Sequence, residues 1–281
     1  MRQPADQIPD KRLARRSFAS AAAAYDQVAV LQQEVGRRLL QRLDLVRIQP
    51  RRILDLGSGT GQCVPELGAR YKKAQVVALD IALPMLRQAR KRGRWRRRPW
   101  CVCGDAESLP FADASFDLVF SNLMLQWCVE LEVAFAELQR VLRPGGLLMF
   151  TSFGPDTLRE LRNSWQQVDA YSHVNAFWDM HDVGDALLRA RFADPVMDVE
   201  RVTLTYPDVW QLMRELKQVG AHNVTAGRPR GLTGKARMQR LVAAYEDYRS
   251  DGVLPASYEI VNGHAWSTSA DFGISVDSIT R

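Results

Sequence analysis

Apolar positions follow two rhythms along this chain. In the first part, short apolar runs alternate with stretches in which apolar residues recur every three to four positions. The short runs are "RRILDLG" (51–57), "AQVVALD" (74–80), "PWCVCGD" (99–105), "SFDLVFSN" (115–122) and "GGLLMFTSF" (145–153), and each reads as a strand. The helical period marks residues 13–44, a stretch from Thr60 to Ala69, one from about Pro84 to Arg92, and "LEVAFAELQRVLRPGG", stopped by Pro144 and Gly145. Strand and helix in strict alternation predict a parallel, doubly wound sheet with helices on both faces.

After Phe153 the rhythm changes. Helices are predicted over 155–171 and 179–192, then a long strand over 194–206, helices near 208–219 and 234–250, and a last strand over about 257–266. Residues 267–281 read as a polar tail. The chain therefore reads as one domain, 1–281. It has an N-terminal helix (13–44), a ligand-binding core (50–153) and helical insertions (154–190 and 207–250) placed to cover a substrate. No internal repeat is visible.

Composition narrows the class. The 281 residues are 46% apolar and 25% charged, the balance of a soluble globular chain. No run approaches the roughly 20 apolar residues that span a bilayer, and the charged N-terminus lacks a signal-peptide core. A cytoplasmic protein without a membrane is expected. The cysteines, Cys63, Cys101, Cys103 and Cys128, lack zinc-site spacing, so no metal is expected. Cys101 and Cys103 would share a strand face, which leaves a redox pair open beside reduced core thiols. The net charge of +6 is clustered in Lys11–Arg16, Arg37–Arg52 and Lys91–Arg98. Such runs suit nucleic acid, an anionic membrane, an acidic protein, or plain solvation.

The first strand runs into "ILDLGSGTGQ", where Gly57, Gly59 and Gly61 stand two apart. This is not the G-x-G-x-x-G of a dinucleotide fold, because the third glycine falls one place early. Asp80, ending the second strand, suits the two hydroxyls of a ribose. Asp105, ending the third, suits an adenine amino group, with the Ala106 N–H available to the ring. Asp55 either braces the glycine turn or receives an ammonium.

Together "LDLGSGTG", "ALD", "GDAESLPF", "FDLVFSN" and "VLRPGG" resemble the class I S-adenosylmethionine-dependent methyltransferases over about residues 50–153. The resemblance implies a Rossmann-like, mostly parallel seven-stranded α/β sheet and S-adenosyl-L-methionine as cofactor. It implies cofactor contacts from Asp55, Gly57, Gly59, Gly61, Asp80, Ile81, Asp105, Ala106 and Asn122. The position after the fourth strand reads "SNLMLQW", without the N-P-P-Y of nucleic-acid amino methyltransferases, and Cys128 lacks the Pro-Cys context of RNA cytosine-5 enzymes.

Beyond the core, "FASAAAAYDQVAVLQ", "SNLMLQWC", "SFGPDTLRELRNSW", "HVNAFWDMHDVGDALLRARFADPVMDVERVTLTY", "LMRELKQVGAHNVTAGRPRGLTGK" and "YEIVNGHAW" are similar to the malonyl-acyl-carrier-protein O-methyltransferases of biotin synthesis. Two departures stand out: the alanine-rich helix at Ala24-Tyr25, and Arg191 where glycine is expected. The resemblance implies methylation of the free carboxylate of malonyl on acyl carrier protein, or on coenzyme A, which masks its charge for extension toward pimeloyl.

A malonyl carboxylate is ionised at pH 7 and needs no general base. It needs an orienting cation, for which Arg228 is the first candidate. Tyr25 is expected over the cofactor, His181 near the site, and Gln126 and Trp127 among substrate contacts. Two rival readings are a methyltransferase of another small acid or quinone precursor, and an RNA-binding protein using its basic runs. Aromatics are not interleaved with those runs apart from Trp95, so no nucleic acid is expected. An acidic carrier protein would instead dock on Lys11–Arg16, on Lys91–Arg98, or on the helix around Arg237 and Arg240. The N-terminal helix with the late insertions is favoured.

Overall fold

The computed structural model describes residues 8–93, 98–221, 223–225, 227 and 233–268. Its strands are β1 (Arg52–Leu56), β2 (Gln75–Asp80), β3 (Trp100–Cys103), β4 (Phe116–Ser121), β5 (Leu142–Phe153), β6 (Phe192–Tyr206) and β7 (Leu254–Ser267). They form one sheet in the order β3-β2-β1-β4-β5-β7-β6. The first five strands pair in parallel, and β7 runs antiparallel between β5 and β6. The expected Rossmann-like sheet of seven mostly parallel strands is therefore present. Strand order reverses between β1 and β4, and a doubly wound sheet opens its ligand crevice at such a switch point.

Side chains alternate across each strand, so both faces are apolar. Leu54, Leu56, Val77 and Leu79 meet α6 (Leu131–Val141) and α8 (Met180–Arg189) on one face. Ile53, Val76 and Ala78 meet α3 (Val30–Arg42), α4 (Val64–Arg70) and α5 (Leu83–Ala89) on the other. Phe120 and Phe150 are fully buried between these layers, where truncation to alanine costs about 3–5 kcal/mol. A third cluster joins β7 to α7 (Arg159–Gln166), α9 (Val209–Gln218) and α10 (Lys235–Glu246).

The N-terminal helix expected over 13–44 is broken into α1 (Lys11–Ala21), α2 (Tyr25–Val28) and α3. Alanine is the best helix former, so propensity does not explain the break. Tertiary bonds do. Asp26 accepts hydrogen bonds from Thr60 Oγ1 at 2.5 Å and Gln62 Nε2 at 2.9 Å, and pairs with Arg92. Those three partners belong to the glycine turn and the end of α5, and they pull α2 out of line with its neighbours.

The late helices do not all cover the crevice. α8 packs on β6 and α6, and α10 packs on α7. α9 meets α2 and β6, and no described residue of these late helices lines the crevice. No described helix is long and apolar enough to cross a membrane, and no described group of His, Cys, Asp and Glu is placed to hold a metal ion. Cys101 and Cys103 are both free thiols.

Candidate active site

The crevice opens where β1, β2 and β4 end. Gly57 and Gly59 line it with φ of +68° and +54°, a backbone region that favours glycine. A Cβ on Gly57 would lie 2.1 Å from Met124 Cγ, whereas one on Gly59 would face open space toward Tyr25 Cε1 at 4.0 Å. Gly61 is different. It lies outside the crevice wall, and its Cβ would meet Ala89 Cα and Cβ at 2.9 Å. It is a packing glycine that lets α5 approach the turn.

Asp80 lines the crevice and binds the turn. Its Oδ2 accepts from the Gly59 N–H at 2.9 Å and its Oδ1 from the Ala82 N–H at 2.8 Å. Burial pushes its carboxyl up to about 6, against the lowering effect of those two hydrogen bonds. Asp55 lies beneath the turn, 3% exposed, and its Oδ2 has no hydrogen-bond partner. Burial and then the nearby Asp80 push it up to about 7. Two buried carboxylates with spare acceptor capacity suit a ligand that brings hydroxyl donors and positive charge. Asp55 is not among the residues that line the crevice, and of its two expected roles bracing the turn needs no place in that wall.

Asp105 sits at the other end of the crevice, with Ala106 and Ile81 beside it. A residue that the sequence did not single out holds it. Lys11 Nζ lies 2.8 Å from Asp105 Oδ1, 2.6 Å from Asp105 Oδ2 and 2.7 Å from Glu107 Oε2. Burial lowers the lysine's pKa, but the bonds to Asp105 and Glu107 outweigh it and raise the value overall. Ala14 and Phe18, one and two turns further on, also line the crevice, so α1 roofs it.

Tyr25 lines the crevice beside Gly59. Burial first, then Asp80 and Asp26, raise its hydroxyl well above the ordinary phenol range. Asn122 lines the wall opposite, with Nδ2 donating to Gln32 O at 2.8 Å and Oδ1 accepting from Thr151 Oγ1 at 2.9 Å. Trp127 lines it too, edge-on to Phe18 with ring centroids 5.0 Å apart. Gln126 turns into the core instead, donating to Leu123 O at 2.6 Å. His181 does not reach the crevice. It is 85% exposed at the start of α8, held by Asp179 at 2.7 Å, a helix-capping arrangement. Arg228 lies outside the described residues.

Comparison with known proteins decides the family. Residues 54–150 match the family model described as a methyltransferase domain. The chain is 55% identical to the malonyl-acyl-carrier-protein O-methyltransferase of Laribacter hongkongensis over 269 residues, covering 93% of this chain and 91% of that protein. The chain belongs to that methyltransferase family. The YcgJ protein of Bacillus subtilis shares its fold at TM-score 0.59 and 15% identity, covering 83% of this chain and 99% of that one. Phosphoethanolamine N-methyltransferase 2 of Haemonchus contortus, solved with S-adenosyl-L-methionine, does so at TM-score 0.52 and 19% identity, covering 83% and 52%.

The cofactor of this methyltransferase is S-adenosylmethionine, and the crevice fits it. Asp80 would have lone pairs to spare for a ribose diol, the unpartnered Asp55 Oδ2 would supply negative potential by the turn, and Asp105 with Ala106 would face an adenine. No described histidine lines the crevice. Burial raises the thiol of Cys128, as it does the Tyr25 hydroxyl, so neither takes a proton at neutral pH. The arrangement suits an acceptor that arrives already ionised.

Proposed function

We propose that the chain methylates the free carboxylate of malonyl carried by acyl carrier protein, giving the malonyl methyl ester used for pimeloyl, the biotin precursor. Identity of 55% across nine-tenths of both chains to a malonyl-acyl-carrier-protein O-methyltransferase carries this reading, and a crevice without a described histidine agrees with it. When bound, S-adenosylmethionine supplies an electrophilic methyl: a C–O bond forms to the carboxylate as the C–S bond breaks and sulfur keeps the electron pair.

The protein's own residues position and shield. Asp80 fixes the glycine turn through Gly59 and leaves lone pairs for the ribose. Tyr25 stays protonated and offers its O–H to one acceptor oxygen, leaving the other free to attack. α1 closes the crevice against water, pinned by Lys11. Lys11 is the one described cation in the crevice wall and is already committed to Asp105 and Glu107. Arg228 remains the proposed partner of the substrate carboxylate.

The carrier protein would land on the outer faces of α1 and α9. Arg12, Arg15 and Arg16 are exposed on α1 without a carboxylate partner among the described residues, as are Arg214 and Lys217 on α9. The two helices adjoin, since a Cβ on Gly220 would meet the backbone of Ser17 at 3.2 Å. The other expected patches are weaker. Arg237 pairs with Asp169 on a helix packed against α7, Arg92 pairs with Asp26, and residues 94–97 lie outside the described ones.

The test is direct. Purified protein with methyl-labelled S-adenosylmethionine should label malonyl-carrier protein as a base-labile ester, with little label on bulk RNA. Label in RNA, or none on malonyl thioesters, refutes the reading.

A further inference from the structure

A second cavity lies behind Trp127. Its wall is mostly apolar: Phe153 at the end of β5, Phe177, Leu216 and Val219 on and after α9, and Tyr258 on β7. Trp127 is the one described side chain common to this wall and to that of the cofactor crevice, so the two spaces adjoin at its indole. The cavity holds about 30 Å³, room for roughly two waters. A space that narrow suits a single unbranched chain and not a base or a ring.

Its electrostatics are one-sided. Glu215 is the one side chain with a formal charge in the wall, and its Oε1 accepts from the Tyr206 hydroxyl at 2.9 Å. Tyr258 stays neutral, because burial and then the neighbouring Tyr206 and Glu215 raise its hydroxyl. No described lysine or arginine lines the space. A carboxylate entering it would lose water, find no cation and meet Glu215. A neutral thioester and the methylenes next to it meet none of these costs.

We infer that this cavity is the seat of the acceptor's thioester end, with Trp127 as the partition that leaves only the carboxylate facing the cofactor crevice. It rests on the function proposed above and adds a selectivity device. Glu215 turns away free dicarboxylates, whose second charge would have to occupy the cavity. A monoacid thioester places only neutral atoms there and keeps its one charge outside the cavity.

Two variants and a mass-detected methyl-ester assay test this on the full chain. Leu216→Trp fills the cavity. It should raise the KM for malonyl-coenzyme A by about tenfold or more while S-adenosylhomocysteine affinity, read by calorimetry, stays unchanged. Glu215→Gln should shrink the preference for malonyl-coenzyme A over free malonate by roughly fivefold or more, through a gain on malonate. An unchanged KM in Leu216→Trp overturns the seat, and unchanged selectivity in Glu215→Gln overturns the role of Glu215. If Leu216→Trp no longer binds S-adenosylhomocysteine, Val219→Phe replaces it, with the same two outcomes. Failure of the wild-type protein to methylate any malonyl thioester would instead refute the proposed function.

Discussion

Lys11 reaches across 94 positions of sequence to Asp105, with Nζ 2.6 Å from Oδ2. The bond joins the start of α1 to the segment after β3, so the roof of the crevice is tied to the wall that carries Asp105. Side chains of Lys11 and Asp105 are 24% and 34% exposed, which makes this a partly shielded pair worth about 1 kcal/mol. Lys11→Ala should therefore weaken S-adenosylhomocysteine roughly fivefold. It should also raise amide exchange over 11–21. Unchanged affinity together with unchanged exchange would show that the pair does not hold the roof.

Asp80→Ala removes a ribose acceptor and the anchor of the Gly59 N–H in one step. Charge-assisted hydrogen bonds contribute roughly 1.5–3 kcal/mol each, so cofactor affinity should fall about a hundredfold or more. Asp80→Asn keeps an acceptor oxygen and should lose less. Calorimetry with S-adenosylhomocysteine is the measurement, and wild-type affinity in Asp80→Ala would remove Asp80 from the site.

Asp55 and Asp80 make the empty crevice sensitive to pH. Unfolded, both titrate near 3.8; folded, they titrate at about 7 and about 6. Between those values the folded chain holds more protons than the unfolded chain, so their contribution to stability falls as pH rises. The melting temperature of the free protein should drop from pH 5 to pH 7.5, and Asp55→Asn should flatten that slope. Affinity for S-adenosylmethionine should run the other way, rising as the carboxylates ionise. A free protein whose melting temperature climbs over this window, unaltered by Asp55→Asn, would contradict the burial argument.

What the sequence could and could not convey follows from the range of the forces involved. Strands β1, β2, β4 and β5 were legible because their apolar runs are buried on both faces, and Asp80 because a tip acid after a glycine turn has few other uses. Tyr25 was legible through the family resemblance. The break between α1, α2 and α3 was not, because it depends on Asp26 meeting Thr60, Gln62 and Arg92, residues at least 34 positions away. Lys11 read as part of a basic run, although its charge is spent inside the crevice while Arg12, Arg15 and Arg16 face outward. His181 has suitable chemistry, yet its ring only pairs with Asp179, the cap of its own helix. Gly61 belongs to the glycine pattern but answers to Ala89.

The outward arginines of α1 give the last prediction. A carrier protein that delivers its arm beneath α1 must approach that helix, and an acidic partner gains attraction from cations that no described carboxylate already neutralises. Attraction of this kind raises the association rate and fades with salt. Arg15 and Arg16 are exposed, while Lys11, Ala14 and Phe18 on the same helix face the crevice, so reversing the two arginines leaves the roof's inner face intact. Arg15→Glu with Arg16→Glu should lower kcat/KM for malonyl-carrier protein several-fold at low salt and leave malonyl-coenzyme A nearly unaffected. The gap between variant and wild type should narrow as salt is raised. Equal losses on both substrates would place those arginines in support of the roof, and the docking surface would have to be sought on another face.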